Sequence, residues 1–142
     1  MPLVLGVDPG AHIGVALVET DAGELLWQRT YRRFDDFIGD ADRKPLTSMS
    51  MKAVVQTPIF EHGKTPRWNK SAISLVKNAY TSGLVVGYLT GLFMRVQTEP
   101  PRRNAGMKMS AELFAKAFKY DERCSEHVRD AANLAMMWRE KR

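Results

Sequence analysis

The chain lacks the features that stabilise small secreted domains and those that cross membranes. Its 142 residues include one cysteine, Cys124, which excludes an intramolecular disulfide, and no partner stands near it at zinc-finger spacing. The longest apolar run, residues 84–94, is too short to span a bilayer and is interrupted by Thr90 and two glycines. No signal peptide precedes the first predicted strand. These absences favour a protein of a reducing cytoplasm with an inert thiol.

Acidic residues are outnumbered by basic ones. The chain has 21 Lys and Arg against 16 Asp and Glu, which gives a net charge of +5 and a pI near 9.5. This balance favours a polyanionic partner, although many basic proteins bind none. Internal repeats and low-complexity segments are also lacking. A length of 142 residues allows one domain with a proper core and is short for two.

The first residues read as a β-hairpin. An apolar run over residues 3–7 ends in Asp8, Pro9 and Gly10 follow as a turn, and a second apolar run begins at Ile13. The first strand therefore presents Asp8 at its end. Taken alone, the Asp-Pro-Gly sequence has an ordinary interpretation, in which the carboxylate bonds its own backbone within the turn.

The far end of the chain changes that interpretation. Residues 125–138 predict a helix in which Val128, Ala131 and Ala135 belong to one apolar stripe. His127 and Asp130 stand three residues apart beside that stripe and share a helix face. An acid at a strand end and a helical His/Asp pair can form one metal site.

These stretches together resemble a known family. The segment Leu5-Gly6-Val7-Asp8-Pro9-Gly10, the pair His127-x-x-Asp130 and the small residues that follow look like the first and last active-site motifs of RuvC-type Holliday junction resolvases. The resemblance implies an α/β ribonuclease H-like fold, with a mixed five-stranded sheet flanked by helices, in a single nuclease domain over residues 1–142.

The resemblance also implies an activity. Members of the family are homodimeric crossover junction endodeoxyribonucleases that nick four-way DNA junctions symmetrically, in recombination and repair. They use Mg²⁺ or Mn²⁺, two ions per active site, and no nucleotide cofactor. The short length resembles phage-encoded members, which implies the cytoplasm of a bacterium or of a phage-infected host.

Position 56 departs from the family pattern. Residues 52–60 predict a strand that stops near Pro58, and the family strand ends in a glutamate where this chain has Gln56. Glu61 is no substitute, because five residues along a strand lead to the opposite face. A glutamine keeps the shape but lacks the charge that holds two cations about 4 Å apart, so we expect folding and DNA binding with poor cutting. Two explanations stay open: a deliberate Glu-to-Gln replacement that traps an uncleaved complex, which we favour, and a natural member with weakened chemistry.

The resemblance assigns the site residues. The implied catalytic and metal-binding side chains are Asp8, Gln56, Asp130 and His127. A lone helical histidine is more often a surface or core residue. Beside Asp130, we expect His127 to act as a ligand or as the general base, neutral near pH 7 in either role.

Two basic segments are candidates for DNA contacts. Residues 60–70 are rich in turn formers and cations with two aromatic rings, and residues 102–108 form a basic loop between a predicted strand and helix. Cations neutralise phosphates and aromatic rings stack on unpaired bases, although solvated surface loops have the same composition. The candidates are Phe60, Lys64, Arg67, Trp68, Lys70, Arg102, Arg103 and Lys108.

The remaining pattern predicts further elements. Strands are expected over residues 24–31 and 93–98, with helices over 35–38, 70–92 and 111–120, the last capped by Ser110. The glycines at 83, 87 and 91 recur every four residues and indicate close packing, either on the sheet of the same subunit or on a second subunit. We interpret the acids near the short helix as solvated rather than metal-binding; they are Asp35, Asp36, Asp40 and Asp42.

Three other functions stay open. A nuclease of the same fold that acts on RNA or hybrids would share the metal site. A non-catalytic protein that binds branched DNA would follow if Gln56 is natural and disabling. A metabolic enzyme is disfavoured, because the glycine-rich phosphate loops of the ATP-binding relatives of this fold are lacking.

Overall fold

The structure is a computed structural model that describes residues 3–10, 12–43, 52–57, 70–92, 95–99, 110–120 and 122–138. These segments contain five strands and four helices, in the order β1-β2-β3-α1-β4-α2-β5-α3-α4. Their bounds are β1 Leu3–Pro9, β2 Ile13–Glu19, β3 Glu24–Tyr31, α1 Phe34–Arg43, β4 Lys52–Gln56, α2 Lys70–Gly91, β5 Arg95–Glu99, α3 Ala111–Phe118 and α4 Glu126–Ala135. No helix in these segments is long and apolar enough to cross a membrane.

The strands form one mixed sheet in the order β3-β2-β1-β4-β5. β1 pairs antiparallel with β2, and β2 with β3, which confirms the predicted hairpin and third strand. β4 joins the other edge of β1 in parallel, and β5 joins β4 in parallel. The carboxyl ends of β1, β4 and β5 therefore meet at one edge of the sheet, which is where α/β sheets commonly bind ligands.

Helices cover both faces of the sheet, and strand alternation divides the core accordingly. Leu5 and Val7 of β1 pack with Phe37 of α1 and Leu89 of α2 in one cluster. Their neighbour Val4 faces the other way and belongs to a second cluster. Its other members include Ala16, Val54, Phe114, Phe118, Val128 and Ala131. This two-sided burial explains why β1, β2 and β4 are apolar almost throughout.

Two glycines seat α4 on the sheet. A Cβ placed on Gly6 of β1 would lie 1.8 Å from the Ala131 carbonyl oxygen, and one on Gly14 of β2 would lie 2.3 Å from that of His127. No side chain fits at such distances, so the helix backbone rests directly on these strands. The close approach fixes α4 above the end of β1.

Serine caps begin the two last helices, as the sequence predicts for Ser110. The Ser110 hydroxyl accepts from the Leu113 amide at 3.2 Å, and that of Ser125 accepts from Val128 at 3.3 Å. Each bond satisfies an amide that has no partner within the helix. The caps fix where α3 and α4 start.

Several sequence expectations need correction. α1 runs to Arg43 rather than Ile38, and β5 runs to Glu99, one residue beyond the predicted end. Leu113 and Ala117 of α3 face solvent instead of the core, which is filled by Phe114 and Phe118. A two-turn helix can bury only a narrow stripe, and these aromatics already occupy it.

The glycines of α2 do not pack on the sheet of this subunit. A Cβ on any of the glycines at 83, 87 and 91 would meet no atom of the described chain within 4 Å. Tyr80 and Val76, at helical spacing on the same side, are 69% and 45% exposed. This side of α2, defined here as the glycine face, is not covered by any other part of the chain that the structure describes.

Tyr31 ties α1 to the sheet. Its hydroxyl donates to the Asp40 carboxylate, and Arg29 lies 3.8 Å from the same carboxylate. Burial raises the pKa of Tyr31 above its ordinary value, and the bond and charge of Asp40 raise it further. Asp40 therefore contacts β3, whereas Asp35 and Asp36 are exposed as expected.

This contact predicts an alkaline loss of stability. Because the pKa of Tyr31 is higher in the folded state, its contribution is complete below the unfolded pKa of about 10 and declines as the pH rises above it. We expect Tyr31→Phe to lower the free energy of unfolding by about 1 kcal/mol at neutral pH. The free energy of unfolding of the variant should also fall less than that of the unchanged chain as the pH rises. Urea unfolding at about pH 8 and pH 11 tests both effects; equal declines in the two proteins would contradict them.

Candidate active site

Asp8 is the buried acid at the end of β1. It is 8% exposed and pairs in register with Gly14 of β2. Opposed residues of an antiparallel pair share a face, and Gly14 faces α4 because its missing Cβ would strike His127. The Asp8 side chain therefore lies on the face of the sheet that α4 covers.

α4 crosses the sheet beside this acid. His127 rests on Gly14, and Ala131 rests on Gly6, two residues before Asp8. Asp130 lies between these two anchor points, one turn after His127. The backbone of α4 therefore places Asp130 near the strand end that carries Asp8, and a metal site shared by the two side chains stays a prediction.

Gln56 ends the neighbouring strand. Gly6 of β1 is in register with Val54 of β4, and Val54 belongs to the core cluster under α4. Gln56 lies two residues further along the same strand, so it shares that face and stands beside Asp8. Its backbone carbonyl accepts from the Ser82 hydroxyl at 3.1 Å, which ties the end of β4 to α2.

Sequence reasoning missed a second acid, Glu99. It ends β5 in register with Gln56 and therefore lies on the same face. The Gln97 side chain donates to the Glu99 carboxylate at 2.7 Å and to the Met137 carbonyl at 3.2 Å. A predicted strand that ended one residue later, at Glu99 instead of Thr98, would have included this acid.

The His127 ring has an aromatic neighbour. It stacks on His12, which belongs to the turn between β1 and β2, with ring centroids 5.5 Å apart and an interplanar angle of 28°. The His12 carbonyl also accepts from the Gly10 amide at 3.1 Å, which closes that turn. Two imidazoles thus lie next to the buried acid.

The donor chemistry of this site fits a hard divalent cation. Asp8 and Asp130 are carboxylates, and Gln56 offers an amide oxygen. Mg²⁺ is commonly held by one or two carboxylates, with water and substrate phosphate completing its shell. Within the described ranges, no three side chains of His, Cys, Asp or Glu group closely enough to hold one ion.

The candidate DNA contacts lie elsewhere in the chain. The side chain of Lys70 and all the other candidate residues of the two basic segments fall outside the described part of the structure. They are Phe60, Lys64, Arg67, Trp68, Arg102, Arg103 and Lys108.

Comparisons with known proteins agree with this architecture. No family model matches the sequence, and no curated protein matches it. Among solved structures, the chain is similar to T. thermophilus RuvC in complex with a Holliday junction substrate, with a TM-score of 0.64 and 16% identity over 96% of this chain and 91% of that one. It is also similar to a second Thermus thermophilus RuvC structure, with a TM-score of 0.50 and 16% identity over 94% and 91% of the two chains.

The fold identifies the structural class of the chain. The mixed five-stranded sheet and its flanking helices are the ribonuclease H-like arrangement that the sequence predicted. Within that class, the chain has the fold of RuvC over almost its whole length.

Proposed function

We propose that this chain is a structure-selective endodeoxyribonuclease that binds four-way DNA junctions and nicks them as a homodimer. The proposal is supported by the register that puts Gln56 beside Asp8 and by the seating of α4, which carries Asp130, on β1 at Gly6, in a chain with the fold of RuvC. The net charge of +5 suits a polyanionic substrate.

The two carboxylates define where the reaction occurs. Asp8 and Asp130 would hold a divalent cation with the amide oxygen of Gln56, and such an ion polarises a scissile phosphate and activates water. β1 holds Asp8 by its ladder with β2, while the backbone contact at Gly6 fixes the position of Asp130. His127, stacked on His12, would accept a proton from the attacking water.

Gln56 favours a second candidate function, junction binding without efficient cutting. Replacing a carboxylate by an amide removes one negative charge from the site and leaves the shape nearly unchanged. Binding depends mainly on cations that contact phosphates, so it should survive this loss. We propose that the segments over residues 60–70 and 102–108 supply those cations.

Competition binding tests the proposed substrate. A labelled four-way junction is incubated with the full chain, and unlabelled junction, linear duplex or RNA–DNA hybrid competes for it at fixed salt. We expect the junction to compete at least tenfold better than the duplex. Equal competition by the duplex would contradict the proposed preference for junctions. Stronger competition by the hybrid would favour a nuclease that acts on RNA-containing substrates.

The glycine face of α2 is the proposed homodimer surface. Glycines there leave a smooth groove that a second helix can approach closely, and no part of the described subunit fills it. Symmetric nicking requires two sites related by a twofold axis, and an interface on one helix of each subunit supplies that symmetry.

A leucine on this face should weaken the dimer. We expect Gly87→Leu to raise the dimer dissociation constant by roughly 10- to 100-fold, because overpacking a close contact costs about 1–3 kcal/mol. Gly39→Leu on α1 is the matched control, since a Cβ there also meets no atom within 4 Å. Sedimentation velocity over a series of protein concentrations measures the dimer dissociation constant. An unchanged dimer in Gly87→Leu would place the interface elsewhere.

A further inference from the structure

The first hairpin carries both the buried acid and the seat of His127. Asp8 at the end of β1 lies directly opposite Gly14 at the start of β2. A Cβ on Gly14 would lie 2.3 Å from the carbonyl oxygen of His127 and 2.7 Å from its Cβ. This part of α4 therefore rests on the residue that pairs with Asp8, and the backbone and Cβ of His127 have a fixed position relative to that acid.

The contact at Gly14 does not fix the imidazole ring of His127. Rotation about the Cα–Cβ and Cβ–Cγ bonds moves the ring nitrogens even when the backbone is held. The residue is half-buried, so the core of the domain does not enclose its ring. The orientation of the ring depends on a further contact.

His12 makes that contact from the turn of the same hairpin. Its ring stacks on that of His127, with centroids 5.5 Å apart and an interplanar angle of 28°. Attractive contacts between aromatic rings have centroid separations of about 4.5–7 Å. His12 is held in turn, because its carbonyl accepts from the Gly10 amide at 3.1 Å. The hairpin thus holds the backbone of His127 at Gly14 and its ring at His12.

Both roles expected of His127 need a ring of fixed orientation. A general base must lie within hydrogen-bond reach of the proton that it accepts, and a metal ligand must present one nitrogen to the ion. A displacement of about 1 Å in an active site can lower a rate by roughly 100-fold. We propose that His12 is a positioning residue, whose ring holds the imidazole of His127 in the orientation that cutting requires. This role rests on the proposed function and adds a residue to its site.

Two substitutions separate the ring of His12 from its nitrogens. His12→Phe keeps a ring that can stack on His127 and removes both nitrogens. His12→Gln keeps a polar donor and acceptor and removes the ring. Each is made in the full unchanged chain and in the Gln56→Glu variant, and thermal unfolding checks that each protein is folded. Single-turnover cutting of a labelled junction then measures the rate, and binding without divalent cation measures the affinity.

We expect His12→Gln to lower the rate of cutting by about tenfold or more, and His12→Phe to stay within about threefold of the chain that keeps His12. Junction affinity should change less than about twofold in both variants, because a positioning residue does not bind the substrate. An equal loss of rate in the two variants would assign the function to the nitrogens of His12 and overturn the positioning role. Equal rates with and without the ring would overturn it as well.

Nuclear magnetic resonance of the His127 ring tests the contact without any cutting. The chain is prepared with isotope-labelled histidine, and the ring signals of His127 are assigned by their loss in His127→Gln. Relaxation of the ring carbons should show a more mobile His127 ring in His12→Gln than in His12→Phe. Equal mobility in the two variants overturns the proposal. A ring held by His12 in a chain that cuts no junction, even as Gln56→Glu, would instead contradict the proposed function and leave the contact established.

Discussion

Gln56→Glu should raise the rate of junction cutting by about 100-fold or more at saturating Mg²⁺. The substitution adds a carboxylate beside Asp8, on the face that α4 covers. A ligand charge at this position strengthens cation binding and stabilises the charge that develops on the scissile phosphate. Junction affinity measured without divalent cation should change little or fall slightly, because the added charge repels the phosphate.

Thr98→Glu is the matched control for that substitution. It adds the same charge on the adjacent strand, but Thr98 alternates with Glu99 and therefore faces the other side of the sheet. Single-turnover cutting of a labelled junction compares the two variants with the unchanged chain. If Thr98→Glu accelerates cutting as much as Gln56→Glu, or if neither does, position 56 is not the missing ligand.

Gly6→Ala should produce the largest loss of stability among alanine substitutions of the glycines that the structure describes. Its Cβ would lie 1.8 Å from the Ala131 carbonyl oxygen and 3.0 Å from the Ala135 amide nitrogen, and both atoms belong to the helix backbone. No rotamer change can relieve such contacts, so α4 must move away from β1. We expect a loss of more than about 4 kcal/mol, which would leave little folded protein.

Gly39→Ala provides the comparison, because a Cβ on this α1 residue meets no atom of the described chain within 4 Å. Alanine there should stabilise the protein by about 0.5–1 kcal/mol through its helix propensity. Urea unfolding followed by circular dichroism measures both variants. A Gly6→Ala variant as stable as the unchanged chain would show that α4 does not rest on β1 as described.

The sequence was most informative where one local pattern determines one structure. The apolar run, the Asp-Pro-Gly turn and the second apolar run predict the hairpin and the position of Asp8, because strand alternation and turn chemistry are local. The apolar stripe likewise predicts α4, and with it the face shared by His127 and Asp130. The fold class followed from a resemblance to a known family, and the similar structures confirm it.

The sequence could not predict how strands that are far apart in the chain pair in register. Glu99 lies beside Gln56 only because β5 pairs with β4 in one particular register, and a shift of one residue would turn the acid to the opposite face. The seating of α4 on Gly6 and Gly14 also depends on elements far apart in the chain. Spacing alone could not show whether the glycines of α2 contact the sheet of their own subunit. The structure shows that they do not.

Mapping the products of cutting tests the central claim most directly. A four-way junction is prepared with each of its four strands labelled in turn, and Gln56→Glu is added with Mg²⁺ beside a linear duplex of the same sequence. We expect paired nicks at symmetric positions on two opposing strands of the junction and no cutting of the duplex. Equal cutting of the linear duplex, or nicks without symmetry, would contradict a junction resolvase.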